Sequence, residues 1–108
     1  MFFFKKKASE KTHEDKELIE HNYKSVESLI VLAEGNEPMI EQLKELQEKL
    51  KYFIASEAKE IQNYDKKIKD LIGDMRIALT KGDGETTKKA ENLLTQIKLT
   101  IADRNSKM

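Results

Sequence analysis

Leu50-Lys51-Tyr52-Phe53-Ile54-Ala55-Ser56-Glu57-Ala58-Lys59-Glu60-Ile61 joins the two halves of the longest amphipathic run in the chain, and whether it stays helical sets the architecture. On either side the pattern is regular. Leu43, Leu46, Leu50 and Phe53 lead into it, and Ile61, Tyr64, Ile68, Leu71 and Met75 follow it. Their steps of three and four place apolar side chains on one helix face. Inside the stretch the stripe slips. An apolar residue is due at position 57, but Glu57 stands there with Ala58 beside it. The step from Leu50 to Ile61 is eleven residues, a local hendecad. Neither Pro nor Gly lies between them, so the expectation is a single helix from about 37 to 81. At 1.5 Å per residue it would be about 67 Å long, several times the mean helix.

Turn signals bound this helix. Gly35-Asn36-Glu37-Pro38 precedes it. Gly35 suits a left-handed helix end, Asn36 or Glu37 a cap, and Pro38 the first turn. Gly82-Asp83-Gly84 follows Lys81 and offers a stop and a new cap. Upstream, Ile19, Tyr23, Val26, Ile30 and Ala33 form the stripe of a helix starting near Ser9 or Thr12. Downstream, Ala90, Leu94, Ile97 and Ile101 form that of a helix ending near Arg104. The fold class is therefore all-α: three antiparallel helices, the central one long, in a helical bundle. Residues 9–104 make one domain, after a leader at 1–8 and before a frayed end at 105–108.

Short turns force neighbouring helices antiparallel. The two flanking helices then cover the long one once, and each cross-section holds two helices with apolar flanks in water. Exposed apolar patches of that size mark interfaces, so a homodimer completes the bundle. The slender midpoint at Ala55, Ala58 and Ile61 is the expected crossing. The alternative is a bend of the long helix near 56–64, which closes the chain as a monomeric bundle.

Composition narrows the function. Charged residues make up 37% of the 108 residues and hydrophobic ones 38%, the balance of one-sided helices. Twenty basic residues offset twenty acidic ones, which argues against nucleic acid as the main partner. There is no Cys, hence no disulfide framework. No export signal is recognisable and no stretch approaches the roughly 20 apolar residues of a membrane span, so the expected location is cytoplasmic.

Sites with chemistry are few. His13, Glu17 and His21 share one face at four-residue steps, a spacing zinc accepts, but that face points away from the apolar stripe and lacks orienting partners. Glu10-x-x-His13 is a single copy where a di-iron bundle needs two. Acids are everywhere, and none is marked by a pocket that would shift its pKa. The reading is of no catalytic residue, no metal, no cofactor and no small-molecule substrate. Tyr23, Tyr52, Tyr64 and the Met residues read as core or interface filler. One feature escapes helix packing: Phe2-Phe3-Phe4-Lys5-Lys6-Lys7, which holds three of the four Phe. Buried Phe and Lys near anionic lipid each favour attachment to a membrane surface; docking onto a partner or onto the bundle is the competing use. The expected function is a non-enzymatic protein-interaction module, an adaptor or regulator acting through apolar helix faces, with a peripheral membrane protein as the alternative.

Overall fold

A computed structural model describes residues 2–81 and 84–108, with side chains from residue 12 onward apart from 82 and 83. Four helices form among the described residues: α1 (Phe2–Leu32), α2 (Glu37–Lys51), α3 (Lys59–Lys81) and α4 (Gly84–Lys107). The expected helix over 37–81 is thus two helices, and the count of three becomes four. The break spans residues 52–58, overlapping the first part of the alternative bend region.

The turn after α1 forms as its residues dictate. Gly35 adopts a φ of 92°, the left-handed region that glycine enters without a Cβ penalty. Asn36 caps α2, its side chain accepting from the Met39 N–H at 3.3 Å, and Pro38 lies in the first turn. Gly82 and Asp83, the expected second turn, lie outside the described residues. Residues 2–8 of the leader belong to α1, while the side chains of Phe2, Phe3, Phe4, Lys5, Lys6 and Lys7 lie outside the described residues. At the far end α4 runs on to Lys107.

The helices form two antiparallel hairpins, α1–α2 and α3–α4, laid side by side. Gln47 of α2 donates to the Tyr23 carbonyl and to Glu27 of α1, which sets the first hairpin's register. Asp65 meets Arg104 and Glu60 meets Lys107 in the second. Between hairpins, α1 packs closely on α3. The pair runs parallel: Glu14 to His21 flank Lys66 to Asp70, while Ser25 flanks Ile72 to Ile77. Lys98 of α4 reaches across to Gln42 of α2 at 2.8 Å. The molecule measures 54 × 22 × 19 Å.

One core runs through all four helices. Val26 and Leu29 from α1, Leu43 and Leu50 from α2, Ile68 and Met75 from α3, and Ala90 and Ile97 from α4 are completely buried. Each large side chain among them contributes about 1.5–3 kcal/mol by leaving water. Because the chain turns back at the break, a cross-section holds four helices, not two. The exposed flanks from which a homodimer was expected are therefore covered within one chain.

Candidate functional site: a buried polar layer at the helix break

At the bundle end where α2 stops, the core stripe is interrupted by polar residues. On α1 the buried line reads Asp15, Ile19, Asn22, Val26, Leu29 and continues to Ala33 in the turn; on α3 it includes Ile61, Asp65, Ile68, Ile72; on α4 it includes Ala90, Leu94, Ile97, Ile101, Arg104. Asp15 and Asp65 are 0% exposed, and Arg104 and Asn22 1%. Charged residues reach such burial only when paired.

The pairing is direct. Arg104 Nε donates to Asp65 Oδ1 at 2.7 Å, and its Nη2 to Asp65 Oδ2 at 3.2 Å. This two-pronged contact suits the guanidinium fork. The same Nη2 donates to the Ile54 carbonyl at 2.9 Å and lies 3.8 Å from Asp15 Oδ2. The guanidinium also lies 4.0 Å from the centre of the half-buried Phe53 ring, a cation–π contact. Asp15 Oδ2 accepts from the Ser56 N–H at 2.8 Å. Asn22 donates to the Asp65 backbone carbonyl at 3.1 Å.

These contacts explain how a helix stops without Gly or Pro. Ending a helix leaves backbone groups unpaired, and burying them unpaired is costly. Here α1 and α4 supply the partners: Asp15 for the Ser56 N–H and Arg104 for the Ile54 carbonyl. The segment completes itself elsewhere. The Ser56 hydroxyl accepts from the Ala58 N–H at 3.1 Å, and Gln62 Nε2 donates to the Ser56 carbonyl at 2.9 Å. Tyr52 and Phe53 N–H groups close tight turns onto Lys49 and Leu50 carbonyls, each at 3.2 Å.

Two carboxyl groups face one guanidinium, so a fully ionised layer would bury a net negative charge. Burial is the main cause that pushes Asp65 up to about 7 from 3.8; its hydrogen bond with Asp15 and the repulsion of that neighbour add to it, and Arg104 opposes it. Asp15 Oδ1 finds no hydrogen-bond partner among the described residues, nor does Asn22 Oδ1. Asp65 keeps its proton to higher pH than an ordinary carboxyl, which offsets the excess negative charge. Such a layer can store a proton and order backbone. With its acids sealed from solvent, it cannot touch a substrate.

The residues singled out from sequence lie elsewhere. Ala55 is half-buried and Ala58 exposed within the break, while Ile61 is buried at the start of α3. His13 and Glu17 pair at 3.0 Å on the outer face. Among the described residues no three His, Asp or Glu side chains are grouped as a metal site, and no helix is long and apolar enough to cross a membrane. The polar layer escaped the sequence reading because the stripes were traced through apolar residues alone. Its signal is a charged residue at a stripe position in three helices.

A second feature is an open groove between α1 and α3, walled by Leu18, His21 and Ser25 on one side and Asp70, Gly73 and Ile77 on the other. Ile77 is 61% exposed. Leu32, two turns beyond Ser25 on the same face, is also exposed. Compared with known proteins, the chain matches no family model, no curated protein and no solved structure.

Proposed function

We propose that this chain is a non-enzymatic interaction module that binds another protein through the α1–α3 groove. The carrying observation is Ile77, a large apolar side chain 61% exposed at the wall of a groove where Gly73 leaves open space above the α3 backbone. A slot between parallel helices, apolar at its upper end and edged with Lys69, Asp70 and Arg76, suits the apolar face of a partner helix. The burial of Asp15 and Asp65 supports a binding role over catalysis, since a general acid or base must reach its substrate.

The test is capture of a defined partner by the full chain and by Ile77→Glu, with Leu99→Glu as control. Leu99 is equally exposed but sits on α4, outside the groove. Loss of capture with Ile77→Glu alone, at unchanged melting temperature, is the expected result. Equal capture by both variants would rule the groove out. Binding to anionic vesicles that disappears when residues 2–7 are deleted would favour the peripheral membrane reading instead.

A further inference from the structure

We propose that the chain exchanges hairpins with a second copy of itself, residues 52–58 turning helical so that α2 and α3 join into one long helix. The partner is fixed by geometry. The two hairpins are joined covalently by this segment alone, and the contacts that unite them, such as Lys98 to Gln42 and Asn22 to the Asp65 carbonyl, are ones a second identical chain supplies equally well. In the exchanged dimer α1–α2 of one copy packs on α3–α4 of the other. Each half-bundle keeps its core, so the two forms differ chiefly at the hinge and in concentration.

The hinge is suited to both states. Its sequence has no Gly or Pro and carries Ala55, Glu57 and Ala58, good helix formers. The break is held open largely by groups outside the segment, Asp15 on α1 and Arg104 on α4, beside the local bond from the Ala58 N–H to the Ser56 hydroxyl. Tyr52 and Ile54 are 69% and 71% exposed there. On a continuous helix Ile54 falls about 60° from the centre of the Leu50–Ile61 stripe, at its edge, while Tyr52 stays on the solvent side. The inference is independent of the groove: in the dimer each groove is built from α1 of one copy and α3 of the other.

The experiment refolds the full chain at about 1 mM and about 10 μM and follows mass by light scattering, since mass action favours exchange at the higher concentration. A fraction at twice the 12.5 kDa chain mass is expected at the higher concentration only. Pro at 57 forbids a continuous helix, so Glu57→Pro should remain monomeric. Glu57→Gly with Ala58→Gly provides a second route in case the Pro variant misfolds. Four glycines across the two long helices should weaken the dimer at least ~100-fold. Monomer at every concentration overturns the proposal. So does a dimer of unchanged strength in both variants with native helix content, which would be surface association without exchange.

Discussion

Arg104 is the residue on which most of the bundle's lower end depends. It neutralises Asp65, satisfies the Ile54 carbonyl and stacks on Phe53. Removing one member of a buried ionic group leaves the others uncompensated, at about 3–5 kcal/mol. Arg104→Ala is expected to lose that much in a urea titration, far more than Lys107→Ala, whose pairing with Glu60 is 3.9 Å long and half exposed and falls in the range of about 0–1 kcal/mol. The raised pKa of Asp65 gives a second prediction. The folded pKa of Asp65, about 7, lies above its ordinary 3.8. Between these values the folded chain holds a proton that the unfolded chain has released. Stability is therefore greatest toward the low end of this window and falls as pH rises through it, by up to about 1.4 kcal/mol per pH unit. Urea midpoints at pH 5 and pH 8 should show the decline, and Asp65→Asn should flatten it. A midpoint that rises with pH would contradict a proton retained on Asp65.

At the scale of elements, the glycines separate cost from need. Gly73 lies inside α3, where a Cβ would meet nothing within 4 Å, while Gly35 holds a φ of +92°. Gly73→Ala is expected to stabilise the chain by about 0.5–1 kcal/mol through helix propensity. Gly35→Ala should destabilise it by about 1 kcal/mol, because its conformation penalises a side chain. Thermal melts of the two variants should move in opposite directions. Much of this level was legible in sequence. The Asn36 cap and the stripes of α2, α3 and α4 follow from spacing. On α1 the apolar stripe through Ile19, Tyr23, Val26, Ile30 and Ala33 lies about 40° from the buried line, because that line runs through the polar Asp15 and Asn22 and through Leu29. The slip at Glu57–Ala58 marked the right place, yet a break could not be read from it. No local residue forces one; Asp15 and Arg104 do, from positions 41 and 50 residues away in the chain.

The whole molecule is settled by that break. With α2 and α3 continuous, two helices per cross-section leave apolar faces open; with the break, two hairpins meet and one chain buries its own core. The monomer doubles back at residues 52–58. Because the chain has no Cys, spin labels at Glu41→Cys and Arg76→Cys report on it without background. Both positions are exposed and lie toward the same end of a bundle 22 × 19 Å across. Pulsed dipolar spectroscopy on the monomer at low micromolar concentration should give a separation below about 30 Å. A continuous helix would place the labelled residues about 52 Å apart by the rise of 1.5 Å per residue, and a distance near that value in the monomer would contradict the fold.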